Sequence, residues 1–370
     1  MNDLSADVRF MAAALAIGRR GFGLCAPNPS AGALVVKNGV IVARGWTKPG
    51  GRPHAETEAL RSAGADAQRA TLYVSLEPCS HHGQTPPCTD AIIAAGISRV
   101  VYAIGDPDPR AGGSAAGLLE RAGIEVTKGV LEADAKRAHL GHFLRVTQKR
   151  PMICLKLALT ADSFAAGEAG APRLQITGAC ANGFVHVLRA THDAIMIGIG
   201  TALADDPLLT VRLPGVDDRV PLRIVLDSDL RLPLNARLAL TAGKVPVLAI
   251  AGEGASKEKA VRLAAAHVEV AFVRRDSAGH IDLKAALNFL AARGLTRILC
   301  EGGPRLASAL IGQGFADEVL LLTAPQPLGR EGMPGLDAAA AVMLADPLRY
   351  RLAESRLVGV DCLTRHERVL

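Results

Sequence analysis

The chain has 370 residues, 49% hydrophobic and 21% charged, an ordinary balance for a globular protein and enough length for two domains. A formal charge of +6 suits nucleic acid or small anions, but with only 3% aromatic residues base-stacking platforms are scarce, which favours phosphorylated small molecules. No run of about eighteen apolar residues and no secretory pattern is present, so a cytoplasmic protein with no membrane and no nucleic-acid partner is expected.

From the N-terminus, Ser5 is placed to cap a helix over 5–19. Pro27-Asn28-Pro29 excludes regular structure. Strands at 33–37 and 40–44 flank Asn38-Gly39, the strongest short hairpin signal. Helices follow over 54–63, 89–95, 114–122 and 132–142, with strands over 70–75, 99–104 and 125–128. This alternation predicts a sheet covered on both faces. The basic stretch 147–150 before Pro151 reads as a boundary between domains 1–147 and 151–370. The pattern then resumes, with strands at 152–159, 194–198, 223–227, 246–251, 268–273, 297–300, 318–323 and 356–364. Helices are expected over 182–190, 257–266, 283–293 and 305–311.

Chemistry concentrates between Pro53 and Cys88. Pro53-His54-Ala55-Glu56, Glu77-Pro78-Cys79 and Pro86-Pro87-Cys88 offer one imidazole and two thiols, a set that holds catalytic zinc and leaves a fourth position for water. Glu56 stands where a carboxylate can take a proton from that water and pass it on. His-x-Glu followed by Pro-Cys and a second Cys is the zinc-deaminase signature, although here the cysteines are nine positions apart. His81 and His82 lie inside the loop, so a Cys-His-Cys ligand set is an open alternative. The seven cysteines, odd in number and scattered, do not suggest a disulfide framework.

In the second half, Gly198-Ile199-Gly200-Thr201 and Glu301-Gly302-Gly303 each link a predicted strand to a predicted helix, where backbone amides can approach a phosphate. Neither has the Gly-x-Gly-x-x-Gly pattern, so a nucleotide site outside a Rossmann domain is expected. Lys156 interrupts an apolar strand, either snorkelling to an edge or facing a ligand.

The loop Cys79-Ser80-His81-His82-Gly83-Gln84-Thr85-Pro86-Pro87-Cys88 resembles that of the bacterial bifunctional riboflavin-biosynthesis deaminase/reductases. Pro27-Asn28-Pro29, Ala94-Ala95-Gly96-Ile97, the run from Thr201 to Arg212, Arg223-Ile224-Val225-Leu226-Asp227-Ser228 and Glu301-Gly302-Gly303-Pro304 extend the likeness over nearly the whole chain. The resemblance implies an α/β protein with an N-terminal cytidine-deaminase-like three-layer domain and a C-terminal dihydrofolate-reductase-like mixed-sheet domain. It implies zinc on His54, Cys79 and Cys88, proton transfer by Glu56, and Asn28 in the substrate pocket. For the second domain it implies NADPH, met by Ala158, Thr201, Asp205, Ser228, Gly303, Pro304 and Arg305. Arg189, Leu209, Arg212 and Glu301 then lie on the substrate side, with Lys156 and Asp205 handling protons. The substrate implied is a phosphorylated pyrimidine, and a homo-oligomer is expected.

Four positions depart from the family pattern. Thr47 replaces a histidine, Gln84 a phosphate-binding cation, Ser163 a glycine, and Gln175 a tryptophan. Two other readings compete: a nucleic-acid base deaminase sharing the zinc site, and a deaminase whose second half is a non-catalytic binding module.

Overall fold

The computed structural model describes residues 4–168, 174–216 and 218–369. The chain divides into two compact units, 1–150 and 151–370. Among the described residues no helix is long and apolar enough to cross a membrane.

The first unit contains helices α1 (Leu4–Gly18), α2 (Ala55–Ala63), α3 (Cys88–Ala94), α4 (Ala115–Arg121), α5 (Glu132–Ala138) and α6 (Leu140–Thr147). Its strands are β1 (Gly32–Lys37), β2 (Val40–Trp46), β3 (Thr71–Val74), β4 (Arg99–Tyr102) and β5 (Glu125–Lys128), in sheet order β2-β1-β3-β4-β5. The β1–β2 hairpin turns on Asn38 and Gly39, both at positive φ, as its dipeptide requires. β1 also runs antiparallel to β3, whereas β3, β4 and β5 are mutually parallel. Met11 and Ala14 of α1, Leu34, Leu72 and Val100 of the sheet, and Ile92 of α3 form part of one buried core.

Two local expectations are corrected. Ser5 lies inside α1 and does not cap it. The helix expected over 132–142 is broken at His139, whose ring is buried and meets Ser75 Oγ at 3.1 Å. That buried hydrogen bond anchors the break, and α6 starts afresh at Leu140.

The second unit opens with β6 (Met152–Leu159) and β7 (Phe164–Ala166). It continues with α7 (Ala179–Ala190), β8 (Ala194–Gly198), α8 (Ile199–Asp205), β9 (Leu222–Leu226), α9 (Arg237–Leu240) and β10 (Val247–Gly252). Next come α10 (Lys257–Ala265), β11 (Val268–Val273), α11 (Leu283–Ala292), β12 (Arg297–Cys300), α12 (Pro304–Gly312) and β13 (Glu318–Thr323). β14 (Met333–Pro334), α13 (Ala338–Ala345), β15 (Tyr350–Val358) and β16 (Asp361–Arg368) complete it.

A nine-stranded sheet has the order β11-β10-β9-β8-β12-β6-β13-β16-β15, while β7 pairs with β14 in a separate ribbon. From β11 to β13 neighbouring strands are parallel, and β16 and β15 add an antiparallel edge. The strand expected over 356–364 is therefore the tip of a hairpin. Gly359, at φ +67°, turns the chain between Val358 and Asp361. Alternate residues of β6 serve opposite faces: Ile153, Leu155 and Leu157 enter one core cluster and Cys154 another.

The sheet order also positions a site. β8 leads through α8 to β9 on one side, while β12 leads through α12 to β13 on the other. Neighbouring strands whose connections leave in opposite directions open a crevice at their carboxyl ends.

Candidate active sites in the two units

In the first unit, α2 carries His54 at its N-cap and Glu56 in its first turn. The helix is seated tightly on β2. A Cβ at Gly45 would lie 2.2 Å from the Ala55 carbonyl and 2.5 Å from Ala59 N, so only glycine permits this approach. Cys79 follows β3 in a loop, and Cys88 opens α3.

These elements bring His54 Nδ1 to 3.6 Å from Cys79 Sγ and 3.4 Å from Cys88 Sγ. A tetrahedral zinc with Zn–N near 2.0 Å and Zn–S near 2.3 Å separates its nitrogen and sulfur ligands by about 3.5 Å. The donor set fits the ion. Among the described residues, His54, Cys79 and Cys88 form the one such group, and neither His81 nor His82 belongs to it.

The electrostatics agree with a site prepared for a cation. Cys79 is pulled down to about 4, first by its hydrogen bond with the Cys88 thiol and then by His54, against the effect of burial. Cys88 is raised because the same bond and its own burial favour the protonated form. The pair thus holds one thiolate, and metal binding displaces the remaining proton. The Cys88 backbone N–H donates to Cys79 Sγ at 3.3 Å. Glu56 is buried, and burial raises its carboxyl above the ordinary range even though His54 opposes the shift.

Asn28 stands beside the ring rather than in open space. Its side-chain amide donates to the Gly51 carbonyl at 2.8 Å and lies 3.4 Å from His54 Nε2. Gly51 must be glycine here, since a Cβ would come within 2.7 Å of Asn28 Cβ. Thr47 is buried, with its hydroxyl accepting from Ala31 N at 3.0 Å. Gln84 is exposed, yet the loop still receives a cation: Arg52 donates to Thr85 Oγ1 at 2.7 Å.

One supporting residue went unread in the sequence. The buried Glu77 carboxylate accepts from the N–H groups of Asp106, Gly113 and Ala115, binding the 106–115 loop to the segment that ends in Cys79. A carboxylate two residues before a candidate ligand was the available signal.

In the second unit the predicted residues gather at the carboxyl ends of the parallel strands. Gly303 N donates to Thr201 Oγ1 at 2.9 Å, tying the turn after β12 to the start of α8. Pro304 and Arg305 open α12, Asp205 ends α8, Ala158 is near the end of β6, and Ser228 lies two residues beyond β9.

On α7, Arg189 makes a two-pronged pair with Glu301, at 2.6 and 2.8 Å, and donates to the Thr210 carbonyl at 3.0 Å. Burial pushes the Glu301 carboxyl up, but Arg189 and Lys156 more than offset it and hold it below its ordinary value. Lys156 lies on β6 between β12 and β13, so it is not at a sheet edge.

Leu209 is buried at φ +50°, while Arg212 is exposed and donates from its side chain to Thr210 Oγ1 at 2.9 Å. Ser163 occupies the left-handed region at φ +67°, the conformational reason a glycine suits that position. Gln175 is exposed. His186, unread in the sequence, accepts the Arg212 backbone N–H at 3.2 Å.

Fold and sites together define a zinc-type deaminase fused to a reductase. Residues 4–104 match the cytidine and deoxycytidylate deaminase zinc-binding region, and residues 151–364 match the RibD C-terminal domain. The chain belongs to the RibD family of riboflavin-biosynthesis proteins and is a bifunctional deaminase and reductase.

It is 40% identical to the Aquifex aeolicus riboflavin biosynthesis protein RibD, covering 88% of this chain and 89% of that one. It is 37% identical to the Escherichia coli protein, covering 96% and 98%. Acinetobacter baumannii RibD superposes with a TM-score of 0.86 at 32% identity, covering both chains in full. A Thermotoga maritima diaminohydroxyphosphoribosylaminopyrimidine deaminase/5-amino-6-(5-phosphoribosylamino)uracil reductase gives 0.84, also at 32% identity and with 99% of each chain covered.

Proposed function

We propose that the 1–147 domain hydrolyses the 2-amino group of 2,5-diamino-6-(5-phosphoribosylamino)pyrimidin-4(3H)-one, and that the 151–370 domain reduces the ribosyl side chain to ribityl with NADPH. The observation that carries this reading is the convergence of His54, Glu56, Cys79 and Cys88 at one point, in a chain whose relatives share both halves.

His54, Cys79 and Cys88 would hold zinc, which when bound supplies a Lewis acid that brings the pKa of water toward neutrality. Glu56 takes the proton of the attacking water and delivers it to the departing ammonia. Its raised affinity for protons suits a group that must both accept and release one near neutral pH. Asn28 orients the His54 ring through its fixed amide and borders the pyrimidine pocket.

In the reductase half, Ala158, Thr201, Asp205, Ser228, Gly303, Pro304 and Arg305 would receive NADPH, which when bound supplies the hydride. Arg189, Leu209, Arg212 and Glu301 hold the substrate, whose phosphate matches this local excess of guanidinium charge. Lys156 and Asp205 handle the proton that accompanies reduction at the sugar C1′. The substrate is a small molecule rather than nucleic acid, consistent with the scarcity of aromatic residues.

The test supplies the pyrimidine with and without NADPH and follows ammonia release and nicotinamide absorbance separately. Glu56→Gln should cut ammonia release by about 10²–10⁴-fold while leaving zinc content unchanged. Undiminished ammonia release by that variant would sink the deaminase assignment. A wild-type protein that never oxidises NADPH would sink the reductase assignment.

A further inference from the structure

Arg223 is an anomaly in the second unit. It lies in β9, the strand between β8 and β10, and is fully buried, yet among the described residues none of its hydrogen-bond partners is a carboxylate. Its guanidinium donates to three neutral oxygens: the Leu208 carbonyl at 3.0 Å, Thr241 Oγ1 at 2.8 Å, and the Val245 carbonyl. Its Nε has no hydrogen-bond partner among the described residues. Burial lowers its pKa to about 10, which leaves it charged at neutral pH. A buried charge without a counter-ion is costly, so its retention calls for a return that an apolar residue would not supply.

That return is found in the segment it holds. Residues 206–212 form no helix or strand, and two non-glycine residues there, Asp206 and Leu209, have positive φ. Such a path is strained and persists only when its surroundings hold it. Groups from separate elements, one backbone N–H and three side chains, do so at alternate residues. Asp206 Oδ1 accepts from Arg237 N at the start of α9, and the Leu208 carbonyl accepts from Arg223. The Thr210 carbonyl accepts from Arg189 of α7, and Arg212 N donates to His186 of the same helix. Arg189 and Arg223 thus grip carbonyls on either side of Leu209.

We propose that Arg223 is a positioning residue for the reductase reaction, a buried clamp that sets the Leu208–Arg212 segment for the pyrimidine substrate without touching it. This rests on the reductase reading above. A planar fork is required because one side chain must reach the Leu208 carbonyl and the α9 end together. Lysine, a single ammonium, cannot span both.

Arg223→Lys and Thr241→Val separate this role from plain stability. In Arg223→Lys the KM for the pyrimidine in NADPH-dependent reduction should rise about tenfold, the worth of one charge-assisted hydrogen bond. Its kcat, its NADPH dissociation constant and ammonia release should stay within about twofold of wild type. Thr241→Val keeps the arginine but removes one acceptor, so KM should rise in the same direction by a smaller factor.

An unchanged KM in Arg223→Lys overturns the proposal, as does a parallel loss of kcat and NADPH affinity, which marks general loosening. If Arg223→Lys does not fold, Thr241→Val decides: a raised KM supports the clamp and an unchanged KM rejects it. A wild-type protein without NADPH-dependent turnover would defeat the underlying reading, an outcome distinct from either variant result.

Discussion

The two sites are built in opposite ways. The metal-ready site of the first unit takes its donors from a span of 35 residues, 54–88, each set at a turn or helix start. Its ligand atoms already stand at the spacing a tetrahedral ion needs. The site proposed for the second unit draws on residues from Lys156 to Arg305, and the Arg189–Glu301 pair in it is separated by 112 positions. A metal site needs a few atoms at fixed distances, which one loop and two helix ends can provide. A site for a large cofactor and a sugar phosphate needs a wide surface, and the carboxyl ends of several parallel strands supply it.

The largest effect is expected at the candidate zinc ligands of the first unit. Cys88→Ser should weaken zinc affinity by more than about 100-fold, since losing a ligand costs more than losing a supporting contact. Ammonia release should vanish with the metal, while NADPH-dependent reduction of the deaminated product continues. Metal analysis and the two separate assays read this out, and retained zinc would show that the three donors are not the site.

A smaller effect is expected in the second unit. Arg189→Met leaves the Glu301 carboxylate without its two-pronged partner, which should destabilise that unit by about 3 kcal/mol. Urea unfolding followed by circular dichroism measures it, with zinc content as the control for the first unit. No shift in midpoint would mean that Lys156 alone balances the charge.

The smallest change concerns Ser163. Its φ of +67° is strained for a residue with a Cβ, so Ser163→Gly should stabilise the second unit by up to about 1 kcal/mol. A small rise in the thermal midpoint is the expected result. A fall would show that the serine side chain contributes more than its backbone strain costs.

Much of the first site was legible because its information is local. Pro53-His54-Ala55-Glu56 and the two Pro-Cys turns give residue types and spacing that few other chemistries share. His54 is favoured over His81 and His82 because it places Glu56 beside the water, but the alternative stays open in the sequence because which histidine faces the thiols depends on how α2 seats on β2 through Gly45. In the second unit the glycine turns marked strand-to-helix links and suggested a shared nucleotide site, but no local pattern gave the direct contact between them. Thr201 and Gly303 touch because β8 and β12 are neighbours, although 102 residues separate them.

The break at His139 and the hairpin at Gly359 were missed for a related reason. A helix pattern does not reveal that one ring is drawn into the core to reach Ser75. A run of apolar and polar residues does not reveal which glycine reverses the chain.

The sequence alone was enough for the chemistry of the first unit, the alternation of strands and helices in both, and the local turns at Pro27-Asn28-Pro29 and Asn38-Gly39. Those properties depend on side-chain type and short spacing. Only the tertiary structure decided the order of the strands, the seating of α2, the pairing of Arg189 with Glu301 and the burial of Arg223. Each of these depends on which distant segments pack together, and packing selects among partners that no local pattern distinguishes.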